Sequence, residues 1–325
     1  FFVIFLWHMT CVVWFGVILV GILLTSGVEV SGQNLAEFNP NGHLDAEGGK
    51  RARSQRTVVL DVDTDEVYHR WDVDCNTTHV SKNVQVVQGC TSPVPCGRRV
   101  LDDFWEDGEM PEMIDLLDRA FSVSPPTSAV ACWDLSTGSM LLDTIDRGLN
   151  LYHISTPDGR VRSVLRDDDK QLLWLIFERL RERIAHEFGV SASGLHLTHP
   201  SFARRYSINV DERRIMPDWH KNYYNMHVDR EIRPWWDYSV LLYFNDFGID
   251  FEGGEVAFLE YNATDASLVV EPREGRVVMF TSGAENRHAA EEISVGVRES
   301  LIVPFTCDPT FAVPAFQRKK FLKEF

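Results

Sequence analysis

From Leu195 to Cys307 the chain is cut into short apolar runs, Ser239 to Phe244, Glu255 to Glu260, Arg276 to Thr281 and Arg298 to Phe305, separated by Gly, Asp, Asn and Pro. Runs of that length between turn residues read as strands. No amphipathic segment long enough to serve as a crossover helix lies between them, and parallel strands need such crossovers. The stretch is therefore restricted to an antiparallel barrel or a double-sheet jelly roll. A further short strand is expected at Thr57 to Val62, and helical patterns at Pro111 to Phe121, Ser139 to Leu149 and Asp167 to Phe188. The last starts on aspartates and repeats Leu172, Leu173, Leu175, Ile176, Leu180, Ile184 and Phe188 at spacings near one helical turn, which predicts an apolar stripe lying on a sheet. The expected fold is α+β, a jelly-roll (double-stranded β-helix) core with supporting helices behind an N-terminal transmembrane helix.

That transmembrane helix is read from Phe1 to Leu24, which is almost wholly apolar and as a helix would span about 36 Å, enough to cross a hydrocarbon core. A cleaved signal peptide is the alternative, although its apolar core is typically shorter. Ser31 to Arg56 is polar, rich in Gly and Asn and without apolar period, as a solvated stem would be. Cys75, Cys90 and Cys96 cluster among turn residues, and Asn76 and Asn262 each open a glycosylation sequon. Together these features predict a single-pass type II membrane protein whose body faces the secretory lumen and carries at least one disulfide. The layout is an anchor at 1–25, a stem at 26–56, a mixed region with supporting helices at 57–190, the jelly roll at 191–310 and a tail at 311–325. A net charge of −16 argues against nucleic-acid partners, and the absence of any CxxC pair removes zinc-ribbon and thioredoxin readings.

The chemistry lies in the strand-rich half. His227-Val228-Asp229 places an imidazole and a carboxylate two residues apart, hence on one face if the segment is a strand. The same pattern at His43-Leu44-Asp45 lies in the stem, where nothing would preorganise it. His288 follows the apolar run Val277 to Phe280 and completes two histidines and one carboxylate, the donor set of the non-haem iron(II) facial triad. Catalytic zinc accepts the same donors, but no HExxH helix accompanies them. Ten residues beyond His288 comes Arg298, then Ser300; on a strand they share a face and can hold a carboxylate, with Tyr243 able to add a phenolic hydrogen bond. A surface ion pair for Arg298 and an ordinary core position for Tyr243 are the competing readings.

The ordered set His227-Val228-Asp229, Phe251-Glu252-Gly253-Gly254-Glu255, Val270-Glu271-Pro272-Arg273, Phe280 through His288, then Arg298 resembles the prolyl 4-hydroxylase-like branch of the iron(II) and 2-oxoglutarate-dependent dioxygenases, with a membrane-anchored member as the closer likeness. The resemblance covers roughly Leu195 to Cys307. It implies iron(II) on His227, Asp229 and His288, 2-oxoglutarate anchored by Arg298, dioxygen as co-reactant, and hydroxylation of a protein or peptide side chain with release of succinate and carbon dioxide. A need for ascorbate is a family expectation. Collagen-type prolyl hydroxylases carry lysine where this chain has Arg298, so a collagen substrate is not implied. A catalytically silent lumenal binding module and a metal-dependent hydrolase stand as the alternatives from other classes.

Overall fold

The computed structural model describes residues 58–60, 66–75, 95–124, 129–142, 145–155, 158–208, 224–259 and 265–313. The expected anchor and stem, including His43 and Asp45, and the sequon residues Asn76 and Asn262 lie outside them. Among the described residues no helix is long and apolar enough to cross a membrane.

The strands, in chain order, are β1 (Val58–Leu60), β2 (Tyr68–Val73), β3 (Cys96–Leu101), β4 (Val130–Asp134), β5 (Ser139–Leu142), β6 (Ile145–Asn150), β7 (Ile154–Ser155), β8 (Val161–Arg162), β9 (His196–Leu197), β10 (Phe202–Ile208), β11 (Tyr238–Tyr243), β12 (Phe251–Glu252), β13 (Val256–Leu259), β14 (Leu268–Val270), β15 (Val277–Thr281), β16 (Arg287–Ala290) and β17 (Val295–Thr306). Among the described residues two long helices, α1 (Glu109–Phe121) and α2 (Asp167–Phe188), accompany them. The larger sheet runs β2-β3-β15-β11-β17-β10-β4-β5-β6, and the smaller runs β1-β14-β13-β16. Pairing is antiparallel throughout both, except that β1 lies parallel to β14. The chain is thus α+β with extensive antiparallel sheet.

The helix α2 has the bounds its sequence predicts. Asp167, Asp168 and Asp169 occupy its first turn, the Asp169 carboxylate accepts the Arg166 amide at 2.6 Å, and Gly189 ends it in the left-handed conformation. Its buried stripe, Leu173, Ile176, Leu180, Ile184 and Phe188, packs with α1 onto Trp133, Ala203, Val240, Leu242, Leu301 and Val303 from one face of the larger sheet. The opposite face of that sheet meets the smaller sheet through Val100, Tyr243, Val278 and Phe280 on one side and Leu60, Val256, Phe258, Leu268 and Val270 on the other. This second, inner layer contains the chemistry.

Two expectations are corrected. Ser139 to Leu149 is not a helix; it forms β5 and β6, which pair with each other. Met140 and Leu142 alternate with less buried neighbours, and the pairing of β5 with β4 sets Met140 opposite Trp133. A long-range partner has overridden a locally ambiguous apolar segment. The region from Thr57 to Val190 is also less helical than its sequence suggests, because β2 through β6 are strands of the same sheet as β10, β11, β15 and β17.

Candidate metal centre

β15 ends at Thr281 beneath a buried turn, Ala284–Asn286, that leads into β16. His288, on β16, exchanges both backbone hydrogen bonds with His227, each at 2.9 Å, and this bridge sets the two ring centroids 4.3 Å apart. The strand does not continue to Asp229, contrary to the sequence-based expectation. Val228 remains extended, but the Arg230 amide donates to the Ser282 carbonyl at 3.0 Å and the chain turns into a single helical turn, Asp229–Ile232. The carboxylate still arrives beside the rings: Asp229 Oδ1 lies 3.6 Å from His227 Nε2 and 3.9 Å from His288 Nε2. One ligand atom from each residue falls within 4.8 Å of the others, the one such cluster of three among the described residues.

The surroundings leave these three atoms facing one another. His227 Nδ1 donates to the Asn225 carbonyl at 2.9 Å and His288 Nδ1 to the Asn286 carbonyl at 3.0 Å, which in each neutral ring assigns the proton to Nδ1 and the lone pair to Nε2. Asp229 Oδ2 accepts from Ser239 Oγ at 2.5 Å, leaving Oδ1 for the centre, and Ser239 Oγ in turn lies 2.8 Å from Ser282 Oγ. Burial, with His227 alongside, brings His288 down to about 4, so the ring is neutral and free to ligate at physiological pH. Burial alone would raise Asp229, but the His288 and His227 rings and the Ser239 hydroxyl outweigh it and hold the carboxyl at about 2. His227 is raised: burial opposes its charge, and the Asp229 carboxylate more than offsets that. Two imidazole lone pairs and one carboxylate oxygen suit iron(II) and fit the donor set of the facial triad.

Arg298, Ser300 and Tyr243 come together on the inner layer. Ser300 faces Tyr243 across the β11–β17 ladder, and the Arg298 guanidinium carbon lies 5.2 Å from the Tyr243 ring centroid. All three are buried, and among the described residues neither Arg298 Nε nor Tyr243 Oη has a hydrogen-bond partner. No carboxylate among the described residues pairs with Arg298. A buried guanidinium with no carboxylate beside it, its Nε unsatisfied against the Tyr243 ring, gains from an added acceptor, which is what a carboxylate ligand would supply. Other basic residues nearby have partners: Arg204, opposite Ser300 in the ladder, donates to Tyr206 Oη at 2.9 Å, Arg276 forks onto Asp102 at 2.8 Å through each of two nitrogens, and Arg273 lies 3.6 Å from the same carboxylate.

The Gly253-Gly254 turn makes room for this arrangement. Both residues have positive φ; a Cβ at Gly253 would fall 2.1 Å from the Glu292 carbonyl oxygen, and one at Gly254 would lie 3.0 Å from Arg298 Cδ. Sequence reasoning missed Ser239, which β-strand alternation with Tyr243 places on the same face of β11, and the carbonyls of Asn225 and Asn286, which carry no sequence signal. It also missed Tyr224, whose buried hydroxyl has no hydrogen-bond partner among the described residues and whose pKa is raised by burial.

Comparison with known proteins agrees with this chemistry. The sequence profile of the 2OG-Fe(II) oxygenase superfamily matches residues 215–304. The chain is 32% identical over 258 residues to the 2-oxoglutarate and iron-dependent oxygenase domain-containing protein 3 of Xenopus tropicalis, covering 79% of this chain and 77% of that one. Its Homo sapiens counterpart is 33% identical over 231 residues, 70% of this chain and 68% of that one. Over a shorter stretch of 75 residues, 23% of this chain and 10% of the other, it is 43% identical to prolyl 3-hydroxylase 2 of Homo sapiens.

Proposed function

Because the chain belongs to the 2OG-Fe(II) oxygenase superfamily, we propose that it hydroxylates a protein or peptide side chain, consuming 2-oxoglutarate and dioxygen and releasing succinate and carbon dioxide. The observation that carries this reading is the joint presence, on one inner layer, of the His227-Asp229-His288 ligand set and the buried Arg298, whose guanidinium has no carboxylate partner among the described residues. Iron(II), when bound, supplies the oxidising chemistry with 2-oxoglutarate and dioxygen. A peptide substrate is supported by the likeness to a relative whose name is prolyl 3-hydroxylase 2. Ascorbate enters as the reductant expected from the family.

In this reading each side chain has a physical task. His227 and His288 present Nε2 because their Nδ1 protons are committed to carbonyls. Asp229 presents Oδ1 because Ser239 holds the other oxygen. Arg298 compensates the distal carboxylate of 2-oxoglutarate, Ser300 donates a neutral hydrogen bond to it, and Tyr243 satisfies its hydroxyl there. Phe258 and Phe280, with ring centroids 5.6 Å and 4.9 Å from that of His288, wall this ligand from water. The inner layer has the character of a double-stranded β-helix, with the smaller sheet closing over the larger.

We further infer a type II membrane protein, anchored by residues 1–25 and spaced by a stem at 26–56, with its body in the secretory lumen and glycans on Asn76 and Asn262. The Cys75–Cys96 disulfide supports an oxidising compartment. Incubation of the purified protein with peptide pools, read by oxygen incorporation and succinate release, tests the activity. Turnover that requires both iron(II) and 2-oxoglutarate supports the reading. Hydrolysis without the oxoacid would make it a hydrolase, and metal binding with no turnover would make it a silent module.

A further inference from the structure

His288 sits on β16, but its ring is aimed by the turn before it. The Asn286 carbonyl takes the Nδ1 proton of His288, and the buried Asn286 amide is gripped at both ends. Its Oδ1 accepts from Arg98 Nε at 2.7 Å; its Nδ2 donates to the Thr281 carbonyl and hydroxyl, each at 2.8 Å, and to the Gly97 carbonyl at 3.3 Å. Arg98 is itself buried on β3. It reaches the Glu285 carbonyl at 3.3 Å and Ser267 Oγ at 2.9 Å, and it lies over the Phe258 ring that walls His288. One strand, β3, therefore holds the turn and the wall together.

Among the described residues, the end of β3 that adjoins Arg98 has a strand partner on one side only; on the other, the Gly97 amide donates to Thr281 Oγ1 at 3.3 Å. Arg98 to Leu101 pair with β15, but Cys96 and Gly97 extend past that register and, among the described residues, take strand pairing from β2 alone. β2 is the edge of the larger sheet, where fraying is least costly. At this point Cys75, just after β2, is joined covalently to Cys96. Gly97 admits the close approach, since a Cβ there would fall 2.0 Å from the Trp71 carbonyl oxygen.

Resting on the oxygenase reading above, we propose that Arg98 and Asn286 are positioning residues for the iron ligand His288 and that the Cys75–Cys96 bridge holds them in place, so that opening the bridge weakens iron binding. A dithiol reductant opens it by breaking the S–S bond: two electrons and two protons yield two thiols, and the reductant becomes a disulfide. Iron loading is thereby tied to the oxidised protein.

Anaerobic equilibrium dialysis of iron(II) against the full chain tests this. Asn286→Ala lowers iron affinity at least about tenfold, the usual scale for groups that orient a ligand. The Cys75→Ser/Cys96→Ser pair lowers it about tenfold, and adding it to Asn286→Ala costs little more, because both changes break one linkage. At saturating iron the 2-oxoglutarate half-saturation point stays at the wild-type value, and the visible d–d spectrum of the cobalt(II)-loaded cysteine pair variant departs from that of the wild type. A folded cysteine pair variant with wild-type iron affinity, or losses that multiply when combined, would overturn the proposal. If the cysteines prove necessary for folding, Asn286→Ala decides alone: its bridge is intact, and unchanged iron affinity overturns the proposal. His288→Ala separates the two levels, since a wild-type affinity in that variant would remove the oxygenase reading itself.

Discussion

At the scale of single residues, the centre depends on which atom of each ligand is left uncommitted. Removing the Ser239 hydroxyl frees Asp229 to rotate, and Ser239→Ala should reduce iron affinity about tenfold or more while Asp229 still ligates. Metal titration checks this, and an unchanged affinity would mean that Oδ1 is aimed by something else. Acid should act through His227 first. A ligating ring must be neutral, and the Asp229 carboxylate raises His227, whereas His288 remains neutral down to about 4. From neutral pH towards that value, iron affinity should therefore fall with a slope of one proton per metal. A two-proton slope over the same range would show that His288 is not depressed. Arg298→Ala should raise the 2-oxoglutarate requirement by at least roughly a hundredfold with iron binding nearly retained, because a carboxylate left unpaired in a buried site costs about 3 to 5 kcal/mol. Ser300→Ala should cost only about 1 kcal/mol, the value of one neutral donor. Titrating succinate formation against 2-oxoglutarate separates the two variants, and an unchanged half-saturation point for Arg298→Ala would move the clamp elsewhere.

At the scale of elements, the Gly253-Gly254 turn links backbone to site. Gly254→Ala places a methyl 3.0 Å from Arg298 Cδ at a φ of +84°, so it should disturb cosubstrate binding while leaving iron affinity near wild type. Equal losses of iron and 2-oxoglutarate affinity would instead indicate that the whole inner layer has shifted. The elements also show what a sequence can reveal. The helix Asp167–Phe188 was legible to its end residues because its acidic start, apolar stripe and Gly189 stop all act locally. β11, β13 and β15 were legible within a residue for the same reason, whereas β17 begins three residues before the run that pointed to it and β16 was not anticipated. Ser139 to Leu149 was not legible, because its hairpin exists only through pairing with β4, and Asp229 leaves the strand only because Arg230 finds the Ser282 carbonyl. His227, Asp229, His288 and Arg298 carry chemistry in their residue types and could be found. Ser239 acts through a contact that only the turn at Asp229 creates, and Asn286 and Arg98 act through each other although they are 188 residues apart.

At the scale of the whole molecule, strands from both halves of the chain build one sheet, so the region before residue 191 is part of the scaffold of the site, with β3 reaching directly to the turn before His288. The lumenal placement proposed for this body leads to a further expectation. Endoglycosidase should shift its gel mobility through Asn76, Asn262 or both, and protease added to intact microsomes should leave it uncut. Digestion of the body under those conditions would reverse the topology. The central claim, that one buried layer holds iron(II) on three side chains beside a dicarboxylate clamp, is tested most directly by anaerobic calorimetry of 2-oxoglutarate with wild-type and Asp229→Ala protein in the presence of iron(II). The account predicts one site per chain for the wild type and at least about tenfold weaker binding for the variant, which lacks both the metal and its anchoring carboxylate. Equal 2-oxoglutarate affinity in the two proteins would contradict it.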